Sequence, residues 1–256
     1  MVKAIFFDVD GTLVSFKTHK VSQSTINALN KLREQGVKIF IASGRHKPAI
    51  NNLGDLQFDA YVTVNGGMSI VGDKLIYKHN IPQNEIQSLI NYIDTVEAFP
   101  CVFIHENNSL MNYTNHATDE IFKLLDYPCP PMGQLSDVEE DVYQVIAFFN
   151  DEQEKQIMKF LPHCETTRWN PLFTDIIPTD SNKWIGISKV LEHFGINKDE
   201  AMAFGDGGND IEMLTNVGLG VAMGNANDDV KSIANYVTTT VDDDGIVNAL
   251  KHFGLI

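Results

Sequence analysis

Short unbroken apolar runs alternate along this chain with stretches whose apolar residues recur every three or four positions. The run Val2–Asp8, apolar but for Lys3 and its last residue, predicts a buried strand. Ser22–Gln35 carries Ile26, Leu29 and Leu32 at helical spacing, and Gly36 supplies a helix stop. Val37–Ala42 and Ala60–Val64 repeat the strand signal. Strands alternating with helices predict a parallel, doubly wound sheet, in which binding residues gather at the carboxyl ends of the strands. Three polar segments stand at those ends: Asp8 onward, Ser43-Gly44-Arg45 and Asn65-Gly66-Gly67.

From Met68 the pattern changes. Met68–Val71 and Lys74–Tyr77 form a predicted hairpin turned at Gly72-Asp73. Beyond Pro82 the chain predicts helix Gln83–Val96, strands near Val102–His105 and Leu110–Tyr113, helix Thr118–Leu125 and a Pro-rich loop at Pro128–Pro131. Strand Tyr143–Phe149, helix Glu152–Phe160 and strands near Thr166–Trp169 and Phe173–Ile177 follow. Alternation then resumes with helix Lys183–Phe194, strand Ala201–Phe204, helix Asp210–Thr215, strand Gly220–Ala222 and helix Asp228–Ala234. The expected fold class is α/β: a doubly wound parallel-sheet core from residues 1–81 and 182–256, interrupted by an inserted α+β domain over 82–181.

Charge narrows the partners. A formal net charge of −15 repels nucleic-acid phosphate and anionic lipid, so neither a polynucleotide nor a membrane surface is expected. The same charge repels a phosphorylated metabolite, which therefore needs a local cationic focus, a metal or a few placed lysines. The N-terminal apolar run is too short for a signal peptide or membrane span, so a cytoplasmic location is expected. Cys101, Cys129 and Cys164 lack metal-site spacing, fit a reducing compartment and read as small buried hydrophobes. The histidines form no ligand pair at helical or hairpin spacing and read as surface or core-edge residues. The acidic run Asp137–Asp141 reads as a solvated loop, and Asp242–Asp244 as a turn before a last helix.

Chemistry concentrates at the strand ends. In Phe6-Phe7-Asp8-Val9-Asp10-Gly11-Thr12-Leu13 two carboxylates follow a buried strand, and Gly11 lets the chain turn while both acids stay near the sheet edge. One can attack a phosphate ester while the other handles protons, with a bound Mg²⁺ offsetting the repulsion between carboxylate and substrate. Taken alone, Asp-x-Asp is more often an acidic turn. Phe204-Gly205-Asp206-Gly207-Gly208-Asn209-Asp210 brings two further hard oxygen ligands after another apolar strand, although a glycine-rich turn starting a helix has equal standing there. Asn209 suits a ligand oxygen or the orientation of a carboxylate. Ser43-Gly44-Arg45 offers a hydroxyl and backbone N–H groups to a phosphate oxygen, where a strand meets a helix, although taken alone a plain Ser-Gly turn is the commoner reading. Lys183, opening a predicted helix, would be a point charge for a phosphoryl group, while a surface lysine is the commoner outcome.

These four motifs, in this order, resemble the haloacid dehalogenase-like phosphatase superfamily, and the large insertion preceded by Asn65-Gly66-Gly67 resembles its Cof-type sugar-phosphatase branch. Val221-Ala222-Met223-Gly224-Asn225-Ala226 and Asp243-Asp244-Gly245-Ile246 extend the likeness to essentially the whole chain. The resemblance implies Asp8 as nucleophile, Asp10 as acid/base, Ser43 and Lys183 as phosphate binders, and Asn209 as a residue that orders the site; Gly44 and Asn209 are further candidates for phosphate binding. It implies Mg²⁺ at Asp8, Asp10, Asp206 and Asp210, the Asp10 position meeting the metal through its backbone carbonyl. Trp184 departs from the glycine common after the lysine; its ring reads as core, and Lys189 as a helix-surface residue. Arg45 and Asn65 are candidates for substrate contact, as are Arg168, Asn170, His105 and Glu106 in the insertion, which read at least equally as ordinary sheet-surface residues. The expected activity is hydrolysis of small phosphomonoesters, with the insertion as a cap. A phosphosugar mutase using the same intermediate and a non-catalytic phospho-receiver or ligand-binding module are the alternatives; the second acid and the large insertion argue against the latter.

Overall fold

The computed structural model describes residues 1–138 and 141–256, without the side chain of Trp169, and divides the chain into two compact units. The first comprises Met1–Tyr77 and Asn182–Ile256, the second Lys78–Ser181. In chain order the first unit begins with β1 (Ala4–Phe7), α1 (Gln23–Glu34), β2 (Lys38–Ala42), β3 (Ala60–Thr63), β4 (Met68–Val71) and β5 (Lys74–Lys78). The second unit follows with α2 (Gln83–Thr95), β6 (Cys101–Ile104), β7 (Ser109–Met111), α3 (His116–Leu124), β8 (Gln144–Ala147), α4 (Asp151–Ile157), β9 (Cys164–Asn170) and β10 (Phe173–Pro178). The chain then returns through α5 (Lys183–Phe194), β11 (Ala201–Gly205), α6 (Ile211–Asn216), β12 (Leu219–Ala222), α7 (Asp228–Ile233), β13 (Tyr236–Val237) and α8 (Gly245–His252).

The first unit is built on one sheet of order β13-β12-β11-β1-β2-β3-β4-β5. The six strands from β13 to β3 run parallel, and the hairpin strands extend the edge. Side chains alternate between its faces, as a pleated strand requires. Ile5, Phe7, Ile39, Ile41 and Phe204 point to α1 and α8, whereas Ala4, Phe6, Phe40, Ala203 and Ala222 point to α5, α6 and α7. Because both faces are covered, the central strands are apolar throughout, and polar function is displaced to their ends. Local signals place the helices: Ser22 caps α1 by accepting the Thr25 N–H, and Asn182 caps α5 by accepting the Ile185 N–H.

The second unit is a five-stranded sheet of order β7-β6-β8-β10-β9, antiparallel in each of its pairings. Its core joins Ile86, Leu89 and Ile93 of α2 to Phe103, Val145, Ile157 and Ile176.

Several expectations need correction. No α-helix follows Ser43-Gly44-Arg45: a 3₁₀ turn at Lys47–Ala49, with Pro48 inside it, leads into loop, so no helix dipole points at that serine. The expected helix Glu152–Phe160 is α4 followed by a 3₁₀ turn at Met158–Phe160. Strand β13, two residues long, carries too little pattern to be read. Cys129 is exposed rather than buried, and of the histidines read as surface or core-edge, His46 and His105 are buried. In the acidic run Asp137–Asp141, residues 139 and 140 lie outside the described residues.

Candidate active site

Adjacent parallel strands β2, β1 and β11 end side by side, so their carboxyl-terminal loops present Ser43, Asp8 and Asp206 together. β1 closes at Phe7, and Asp8 is the first residue beyond it, its N–H donating to the Phe204 carbonyl at 3.0 Å. The next turn is tight. The Leu13 and Val14 N–H groups both return to the Val9 carbonyl, at 3.0 and 2.8 Å. Gly11 sits there in left-handed backbone (φ +81°), and a Cβ on it would lie 2.2 Å from Asp206 Oδ2. Only glycine allows the two acidic loops to approach so closely.

Asp8, Asp206 and Asp210 each bring a carboxylate oxygen into one group, all within 4.8 Å of one another. Lys183 reaches into that group from the first position of α5, its Nζ donating to Asp8 Oδ1 and to Asp210 Oδ1, both at 2.6 Å. The Lys183 side chain is fully buried. Gly66 enables this placement: its φ is +91°, and a Cβ would lie 1.9 Å from the Asn182 carbonyl oxygen, at the cap of the helix that carries Lys183.

Charge in the group is unbalanced, with three acids around one ammonium. Burial raises the Asp8 carboxyl well above the ordinary range; Lys183 pulls it down, and Asp210 and Asp206 push it further up. Burial and then Asp210 lift Asp206 to about 7, against a lowering hydrogen bond from Thr12. Burial alone would lower the Lys183 ammonium, but Asp210 and Asp8 hold it above its usual value. Hard carboxylate oxygens with two uncompensated negative charges suit a divalent cation such as Mg²⁺.

The carboxylate of Asp10 lies outside that trio. Arg45 grips it in a two-pronged ion pair, Nε to Oδ2 at 2.6 Å and Nη2 to Oδ1 at 2.7 Å, while Nη1 donates to the Ala49 carbonyl at 3.0 Å. The guanidinium expected to meet substrate is thus engaged with a neighbouring acid. Ser43 is buried and its Oγ accepts the Arg45 N–H at 3.1 Å. Gly44 faces Asn65, and Asn65 Oδ1 accepts from Asn209 Nδ2 at 2.9 Å, joining two more expected site residues. Asp210 Oδ2 accepts the N–H groups of Asp206 and Gly207, both at 2.9 Å, and so shapes the loop it terminates.

Arg168 belongs to the second unit. Its guanidinium donates to the Pro171 and Phe173 carbonyls, both at 3.1 Å, and to Glu154 at 2.6 Å, closing the β9–β10 hairpin onto α4. Trp184 packs partly buried against the core under α5, and Lys189 is exposed beside Glu192.

Two supports of Asp206 escaped the assignment of site residues. Thr12 Oγ1 donates to its Oδ1 at 2.9 Å, and Asn225 Nδ2 donates to its Oδ2 at 3.0 Å and to the Gly11 carbonyl at 2.9 Å. Asn225 stands in the stretch Val221–Ala226 already noted for its likeness, which was the available signal.

A family model of haloacid dehalogenase-like hydrolases matches residues 5–250. YkrA of Bacillus subtilis strain 168, provisionally named a phosphatase, is 36% identical over 99% of this chain and 98% of its own length. The chain belongs to the haloacid dehalogenase-like hydrolases, in their Cof-type phosphatase branch. Solved structures of this superfamily agree. BT4131, described as a subclass IIB sugar phosphatase, is 44% identical, with a TM-score of 0.94 and full coverage of both chains. BT1666 from Bacteroides thetaiotaomicron, described among the phosphatases of the superfamily, is 36% identical with a TM-score of 0.90, covering 100% of this chain and 96% of that one. Among the described residues, no helix is long and apolar enough to cross a membrane.

Proposed function

We propose that this enzyme hydrolyses small phosphomonoesters, sugar phosphates foremost, with Mg²⁺ and through an aspartyl phosphate on Asp8. The carrying observation is Lys183 buried between Asp8 and Asp210 inside a three-acid group. Lys183 takes Oδ1 of Asp8 and leaves Oδ2 to attack phosphorus. As that bond forms, the ester P–O bond breaks and Asp10 gives its proton to the departing alkoxide. Water then attacks the aspartyl phosphate, Asp10 accepts its proton, and the P–O bond to Asp8 breaks, returning the enzyme and releasing phosphate. Asp8, Asp206 and Asp210 would hold Mg²⁺, which supplies charge neutralisation for the approaching dianion and the transferring phosphoryl group. Ser43, the Gly44 backbone and Lys183 are assigned to the phosphoryl oxygens, while Asn209 orders the loop through Asn65.

The first unit is read as the catalytic core and the inserted unit as a cap that selects the leaving group and limits water. The sugar-phosphate class is supported by the likeness to BT4131, and a cytoplasmic location by the three free cysteines. A screen of phosphorylated metabolites with Mg²⁺, following inorganic phosphate and free alcohol, tests this reading. Equal, continuing release of both is expected. Transfer to a second sugar without free phosphate would mean a mutase, and a single stoichiometric phosphorylation would mean a receiver.

A further inference from the structure

We infer that Arg45 is a positioning residue for Asp10, holding the acid/base carboxylate at one fixed orientation rather than binding substrate. The inference rests on the reading of Asp10 as the acid/base. Asp10 stands on a loop turned by Gly11, and its side chain is 21% exposed, so packing alone leaves the carboxylate free to choose among rotamers. The pair with Arg45 removes that freedom. Two parallel N–H···O contacts of 2.6 and 2.7 Å fix both the position and the plane of the carboxylate, which one contact could not do. Each carboxylate oxygen still has acceptor capacity beyond its contact with Arg45, so the grip leaves room for a transferred proton.

The guanidinium is itself over-determined. Its third arm donates to the Ala49 carbonyl at 3.0 Å, its backbone N–H to Ser43 Oγ at 3.1 Å, and its carbonyl accepts the Val64 N–H at 3.1 Å. Arg45 is thus anchored to loops after β2 and β3 while gripping the loop after β1. A lysine could not reproduce this, since a point charge on a flexible stem lacks the fork.

Removing the fork should therefore damage the steps that need a placed proton donor or acceptor and spare the others. In Arg45→Ala, turnover of an alkyl phosphate should fall by about 10²-fold, the usual consequence of a misplaced catalytic group. The initial burst of p-nitrophenolate from p-nitrophenyl phosphate, whose leaving group hardly needs a proton, should fall by less than about tenfold. KM should change little for either ester. The deciding measurement is the cycle with Asp10→Asn: once the carboxylate is gone, Arg45→Ala should cost less than about twofold more in alkyl-phosphate turnover. Losses that multiply, with KM raised alike for both esters, would overturn the inference and make Arg45 a substrate contact. If Arg45→Ala does not fold, Arg45→Lys carries the same test. Added guanidinium should partly restore alkyl-phosphate turnover in Arg45→Ala but not in the double variant. A separate outcome, Asp10→Asn slowing the aryl burst as much as alkyl-phosphate turnover, would remove the acid/base reading and the inference with it.

Discussion

Lys183 places one ammonium 2.6 Å from an oxygen of Asp8 and 2.6 Å from an oxygen of Asp210, with all three side chains largely out of solvent. Deleting it leaves two buried carboxylates facing each other. Lys183→Ala should lower kcat/KM by roughly two to three powers of ten, an electrostatic loss of about 3–4 kcal/mol. It should also lower the metal-free melting temperature, because breaking a buried pair strands charge. Lys189→Ala, which removes an exposed contact with Glu192, should leave both unchanged. Steady-state kinetics and calorimetry on both variants check this. A folded Lys183→Ala enzyme of normal activity would end the assignment.

The two aspartates of the β1 loop should fail differently. Asp8→Asn replaces a nucleophile by an amide and should abolish turnover of aryl and alkyl phosphates alike. Asp10→Asn should still accept a phosphoryl group from an aryl phosphate but pass it slowly to water, so that acid-quenched enzyme carries covalent phosphate. Mass spectrometry of quenched protein reads the adduct. Wild-type turnover by Asp8→Asn would dismiss the nucleophile.

The raised carboxyl of Asp206 gives the metal-free protein a pH dependence with a definite sign. Its folded value of about 7 lies above the 3.8 of an ordinary aspartate, so between them the folded state holds a proton that the unfolded state has lost. Stability contributed by this group therefore falls as pH rises from about 4 to about 7, and the loss is complete above that window. In the presence of chelator, Asp206→Asn should flatten this part of the profile, with the largest gain in melting temperature near neutral pH. An identical pH profile in the two proteins would contradict the assignment.

Metal removal should act on the same charges. EDTA is expected to abolish turnover, and Mg²⁺ to restore it and raise the melting temperature. Ca²⁺, which takes more ligands at longer distances, should raise the melting temperature but support little turnover. Full activity after exhaustive chelation would refute a metal-assisted reaction.

How much of this was legible in the sequence depended on the kind of force involved. The alternation of buried runs and helical spacing located β1, β2, β11 and α5, because burial on both sheet faces leaves a periodic imprint. The positions of Asp8, Ser43 and Asp206 followed, since polar residues directly after such runs stand at strand ends. The Arg45–Asp10 pair was illegible, since it joins side chains from different loops and arginine beside a phosphate motif reads equally as a substrate contact. Asn225 left its trace only as part of a longer likeness, because its three hydrogen bonds reach Gly11, Asp206 and Val241 across the fold. The missing helix after Ser43 has a local cause in Pro48, which stands inside the 3₁₀ turn where a helix was expected.

The order β11-β1-β2 sets a schedule for the nascent chain. Thr12 and Asp206, which meet by a hydrogen bond, stand 194 positions apart. At ribosomal rates of about 5–20 residues per second, β1 waits roughly ten to forty seconds for the strand that covers its other edge. During that interval every strand of the second unit's antiparallel sheet has already been made, while the apolar run Ala4–Phe7 offers unpaired backbone to any passing chain. The N-terminal strand is therefore the segment that a cell making this protein must shield longest, and aggregation during synthesis should begin there.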